Sequence, residues 1–135
     1  SNGLALSLRD FAQLGQMLID VRGGANRGRL PAWFVETLSA SGRKRKDSAP
    51  ELAGLETGSD YRYGFVHLGG SPNRVAILGA FGNSLYVDFD RRLVIAINAS
   101  YPKAYSVGAQ ATAQQIWDAI RVATQPEKKA TKTKK

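Results

Sequence analysis

The chain has 135 residues, of which 43% are hydrophobic and 22% charged, proportions that suit one compact domain, leave no room for two and argue against global disorder. With no cysteine and one histidine, it excludes a disulfide scaffold, a Cys-ligated zinc, a cysteine nucleophile and a two-His metal site, and no cofactor is expected. The formal net charge is +8 and half of it lies in residues 126–135 (PEKKATKTKK), a stretch without apolar period that reads as a solvated, disordered basic tail behind a domain of residues 1–125. No run approaches the roughly 18 apolar residues of a membrane span. Ser1-Asn2-Gly3 lacks the charged-then-apolar layout of a signal peptide, so the compartment stays open.

In chain order, residues 7–21 read as a helix, with Leu8, Phe11, Leu14, Leu18 and Val21 on one face. Ser7 caps it and Asp10 stands three residues on, a variant of the capping box. Gly15 marks a close helix contact, and Gly23-Gly24 stops the helix. After a basic loop at 25–30, Pro31 suits a first helical position, and Trp33, Phe34 and Leu38 make a short amphipathic helix. Residues 39–60, with the basic run Arg43-Lys44-Arg45-Lys46, form a long loop with one helical turn near Glu51–Leu55.

The texture then turns to β. Residues 61–68 (YRYGFVHL) read as a strand, Gly69–Asn73 as a turn cluster, and 74–81 (RVAILGAF) as a second strand. Gly82-Asn83 interrupts it, 84–88 (SLYVD) resumes with alternation, and Asp88–Arg91 is a hairpin connection. Residues 92–98 (RLVIAIN) form a nearly all-apolar strand, which asks for cover on both faces. Short links imply antiparallel pairing. A last helix spans 107–123, with Ala113, Ile116, Trp117 and Ile120 on one face. The expected class is α+β: an antiparallel sheet of three to four strands with the C-terminal helix on one face. One strong terminal helix covers such a sheet only in part, so the chain reads as a portion of something larger.

The stretch from Gly79 to Asp88 carries the most chemistry. Two glycines three apart at a strand edge permit close backbone approach, and free N–H groups there can face a developing oxyanion. Taken bare, a glycine pair in a strand is more often a bulge.

These residues resemble the C-terminal part of the serine β-lactamase-like hydrolases: class C β-lactamases, penicillin-binding proteins, related esterases and 6-aminohexanoate-dimer hydrolases. Gly3 to Gly15 is similar to the family's "Ser-x-x-Asp-Leu-Ala-x-Phe-Gly" helix, and Leu30-Pro31-Ala32-Trp33-Phe34-Val35 to its "Leu-Pro-x-x-Trp-Val" segment. Tyr63-Gly64-Phe65 resembles its "Tyr-Gly-aromatic" strand. Gly79 to Asp88 resembles its "Gly-x-x-Gly-Gln-x-x-x-Val-Asp-Pro" hairpin, and Val94 to Pro102 the following strand and exit. The resemblance implies a partial β-lactamase/transpeptidase-like fold and acyl transfer to a serine, followed by hydrolysis of a small-molecule ester or amide.

Residue by residue, Gly79 matches the glycine of the family's Lys/His-x-Gly strand, and Ala80 the residue whose N–H forms half of the oxyanion hole. Ile77, Phe81, Gly82 and Asn83 would line the substrate. Ile77 stands where relatives carry a cation, which disfavours a β-lactamase or penicillin-binding site and favours the esterase and amide-hydrolase branches. Asn83 replaces a common Gln and Phe89 a common Pro. The Ser-x-x-Lys and Tyr-x-Asn motifs lie upstream in relatives. No Tyr-x-Asn occurs, and Ser41-Gly42-Arg43-Lys44 matches only literally, in a loop after the family helix.

The chain alone is therefore expected to be inactive. Its expected partner is the missing N-terminal part of the fold, or a self-associating copy. Three competing features read blandly. His67-Leu68-Gly69 is a packed strand histidine, the hairpin charges Asp88, Asp90, Arg91 and Arg92 serve local turns and ion pairs, and Tyr86, Tyr101 and Tyr105 pack with a polar tip. A non-enzymatic interaction module is the alternative function. A basic nucleic-acid binder using 43–46 and the tail comes last, because no recognised binding motif accompanies the charge.

Overall fold

The computed structural model describes residues 5–25, 30–39, 52–69 and 73–125. The basic loop residues 26–29, the Ser41–Lys44 match, the 43–46 run and the 126–135 tail lie outside the described residues.

Helix α1 (Leu8–Arg22) starts where the sequence predicts. Ser7 is extended, and its hydroxyl accepts from the Asp10 N–H at 3.1 Å while donating to the Asp10 carboxylate at 2.7 Å. It ends at Gly23, whose N–H donates to the Ile19 carbonyl, with Gly24 beyond it at φ 86°. Gly15 does make a close contact, but with the sheet rather than with a helix: a β-carbon there would sit 2.6 Å from Val94 Cγ1.

Helix α2 (Ala32–Ser39) follows Pro31, whose carbonyl accepts from the Phe34 N–H. Its buried face is Val35 and Leu38, flanked by half-buried Phe34. Trp33, expected on that face, is 64% exposed because the apolar stripe is phased two residues later. The 39–60 segment contains a turn closed by Leu55 N–H on the Leu52 carbonyl.

The sheet has five strands rather than three to four, all antiparallel and in sequence order: β1 (Asp60–Arg62), β2 (Phe65–His67), β3 (Arg74–Leu78), β4 (Ser84–Asp88) and β5 (Leu93–Ile97). The extra strand arises because the aromatic run 61–68 folds back on itself. Tyr63 (φ 48°) and Gly64 (φ 84°) both adopt the left-handed region, the geometry of a two-residue hairpin turn. The strand expected over 74–81 stops at Leu78.

Both faces of the sheet are covered. α1 and α2 pack Leu18, Ile19, Val35 and Leu38 onto Val75, Leu85 and Val87. α3 (Val107–Ala123) packs on the other face, where Trp117, fully buried, stacks on Tyr86 at 5.3 Å beside Ala76 and Ile95. The expectation of a largely uncovered second face is thus corrected: the N-terminal helices supply one layer and the C-terminal helix the other. Central β4 is buried along its length instead of alternating. α3 turns Gln110, Gln114 and Trp117 inward, whereas Ile116, expected on the buried face, is 37% exposed.

Of the hairpin charges, Asp88 makes the expected local turn bond and also a long-range ion pair to α3. Buried Asp88 accepts from the Arg91 N–H and from Arg121 Nε, each at 3.0 Å. Arg74 donates to both carboxylate oxygens of Glu56 at 2.7 and 2.9 Å. Among the described residues no helix is long and apolar enough to cross a membrane.

Candidate functional site

The β3–β4 connection, residues 79–83, is where sequence and geometry converge. Ladder pairing ends at Leu78 opposite Ser84, and one further rung follows, Gly79 N–H to the Asn83 carbonyl at 2.8 Å. A tight helical turn, Ala80–Gly82, then carries Phe81 into the left-handed region (φ 61°, ψ 23°), with Gly82 at φ 91°. A left-handed non-glycine residue costs on the order of 1–3 kcal/mol and persists only where surroundings impose it.

The segment after β5 imposes it. Phe81 N–H donates to the Ala104 carbonyl at 2.9 Å, and Tyr101 N–H donates to the Phe81 carbonyl at 3.0 Å. Asn83 closes the turn with its side chain: Nδ2 donates to the Ala80 carbonyl at 3.3 Å and Oδ1 accepts from the Ala99 N–H at 3.1 Å. The Tyr101 ring lies against Gly82, where any β-carbon would collide with it.

The outcome at Ala80 is specific. The amides on either side of it, Gly79 and Phe81, are both bonded, yet the Ala80 N–H makes no backbone hydrogen bond among the described residues. It is a donor on a rigid turn outside the ladder. An immobilised, unpaired N–H can donate to an oxygen that gains negative charge without reorganising.

The other expected site residues divide. Phe81 is 47% exposed at the tip of the turn. Asn83 spends both polar side-chain atoms on the turn and so positions it. Ile77 packs toward the core beneath α1 and α2, away from the space that Leu78, Gly79 and Gly82 line. His67 is buried and pairs with Val75, at the far end of β3 from the turn.

Behind the turn, between it and the start of α3, lies a cavity of about 20 Å³ bordered by Gly79, Gly82, Asn83, Ser84, Ser106 and Gln110. It has room for one water molecule and none for an acyl group. Ser84 Oγ points into buried space without a hydrogen-bond partner among the described residues. Among the described residues no His, Asp, Glu or Lys lines the cavity.

The strap residues Ala99, Tyr101 and Ala104 were not legible as site residues, since their contributions are a backbone amide, a ring face and a carbonyl. The Tyr101-Pro102 exit was the one available signal. On the same sheet face, burial pushes the Tyr86 hydroxyl up to about 12, the Asp88 charge adding to the rise and Arg74 and Arg121 opposing it. No protein-family model matches the chain, and no curated protein matches it significantly.

Proposed function

We propose that the chain is the C-terminal portion of a β-lactamase-like serine hydrolase acting on a small-molecule ester or amide. The supporting observation is the Ala80 N–H, left without a backbone partner on a strained turn whose neighbouring amides are both bonded. In this function the attacking serine and its activators belong to polypeptide outside these residues. The serine oxygen bonds to the substrate carbonyl carbon, and the carbonyl electron pair moves to its oxygen. Ala80 N–H and the serine's own N–H hold that oxyanion. Collapse re-forms the carbonyl and expels the alcohol or amine, which takes up the proton that the serine hydroxyl gave to its activating group. Water then displaces the acyl group from serine, releasing the acid.

The test has two parts. The coding sequence upstream should encode an in-frame Ser-x-x-Lys and Tyr-x-Asn. In the protein that includes them, Ala80→Pro should lower kcat about 10²–10³-fold, the effect of losing one oxyanion donor. Proline suits this position because Gly79 before it is already extended (φ −97°, ψ 163°). Upstream sequence without those motifs, undiminished turnover in Ala80→Pro, or saturable p-nitrophenyl acetate hydrolysis by the 135-residue chain alone would contradict the proposal.

A non-enzymatic interaction module is the second reading. It is favoured by the cover that the chain's own helices give both sheet faces, and absence of the upstream motifs would select it.

A further inference from the structure

The two sheet edges differ in how they are guarded. β1 is three residues long and carries Asp60 and Arg62, paired at 3.3 Å. Short, charged edges resist addition of another strand. β5 is five residues, Leu93-Val94-Ile95-Ala96-Ile97, with no charge and no proline, and among the described residues it pairs on one side only, with β4.

The backbone direction at that edge follows from the ladder. Gly79 bonds Asn83 and Phe89 N–H bonds the Asn73 carbonyl, so the odd-numbered residues of β4 address β3. Its even-numbered residues address β5, where they face Leu93, Ile95 and Ile97. Val94 and Ala96 therefore direct their N–H and C=O groups to the open edge.

We infer that this edge pairs with the same edge of a second copy of the chain, antiparallel about Ile95. This inference concerns the chain as it stands and does not depend on the hydrolase proposal. Three features select a second copy. First, the strand is self-complementary about its centre. Ile95 meets Ile95, Leu93 meets Ile97, and Val94 meets Ala96, and the Val94–Ala96 pairs are those whose amides and carbonyls already face outward. Second, the antiparallel register sets Arg92 opposite Asn98 and Arg91 opposite Ala99, whereas a parallel pair would stack like charges. Third, an apolar rim continues onto α3. Gly54 lies against Val107 and Ala111, so the 52–56 segment, which reaches β3 through Glu56 and Arg74, occupies one side of α3. Ala113 and Ile120 pack against the cluster that holds Leu93, Ile95 and Ile97, and helical spacing sets Ile116, 37% exposed, on the side of α3 away from Val107 and Ala111. Two-fold symmetry closes the contact, so association stops at the dimer.

The net charge of +8 on each copy opposes association over long range, so salt should strengthen it. Sedimentation or light scattering across concentration at low and high salt should show a mass moving from the 14.6 kDa monomer toward twice that value, at lower concentration in high salt. Amide exchange at Val94 and Ala96 should slow in step with dimer formation. Ala96→Pro, which removes an outward N–H, and Ile116→Lys, which charges the exposed rim, should each weaken the dimer at least tenfold. Should Ala96→Pro fail to fold, Ile116→Lys and the exchange data decide. A monomer at every concentration and salt, a dimer unaffected by Ile116→Lys, open-ended oligomers, or Val94 and Ala96 amides that exchange equally fast in monomer and dimer would overturn the inference.

Discussion

Tyr86 shows how position governs chemistry at the scale of one residue. Its ring is fully buried against Trp117, and its hydroxyl titrates near 12 instead of 10. Because the folded state holds this proton more tightly than the unfolded chain, the associated stability is complete below pH 10 and is lost as pH rises through about 12. The change is of the order of 3 kcal/mol. An ultraviolet titration should show one of the five tyrosines ionising late, together with unfolding, and Tyr86→Phe should remove that step. Ser84 is the opposite case, a buried hydroxyl without a partner among the described residues. Ser84→Ala should leave the melting temperature unchanged or raise it, since an unsatisfied polar group costs more than it contributes. A fall of several degrees would mean that the hydroxyl is satisfied through solvent in the neighbouring cavity. The sequence read Tyr86 as a packing residue with a polar tip, which its stack on Trp117 bears out, whereas Ser84 was simply a member of a strand. Burial at a single position is decided by which helix lies over it.

Elements were more legible than residues where local chemistry fixed them. The Ser7 cap, the Gly23-Gly24 stop and the 107–123 helix came through because capping and periodicity act within a few residues. The 61–68 run was not resolved into a hairpin, since Tyr63 had to be seen in a conformation that non-glycine residues seldom adopt. Strand 74–81 was overextended for the same reason, as Phe81 turns left-handed under contacts from residues 99–104, far along the chain. Gly15 tests the fit of α1 on the sheet. Gly15→Ala would force Val94 to shift, and overpacking of this kind costs about 1–3 kcal/mol, so urea denaturation should give a lower midpoint with unchanged slope. Gly64→Ala, at φ 84° with open space around its missing β-carbon, should cost about 1 kcal/mol through backbone strain alone.

For the whole molecule, three layers change what the chain can be. An α1–α2 layer and an α3 layer enclose the sheet, and on the hydrolase proposal the nucleophile, its base and the second oxyanion donor lie outside these residues. The sequence showed the glycine pair at a strand end, and the resemblance alone assigns Ala80 an oxyanion role. It did not disclose the strap that holds the turn, nor that Asn83 is occupied in holding it. What all of this rests on is a main-chain amide kept available between two that are engaged. Residue-resolved hydrogen exchange on the folded chain measures that directly. Gly79 and Phe81 should be protected and Ala80 should exchange close to the rate of an unstructured peptide. An Ala80 amide as strongly protected as its two neighbours would contradict the account.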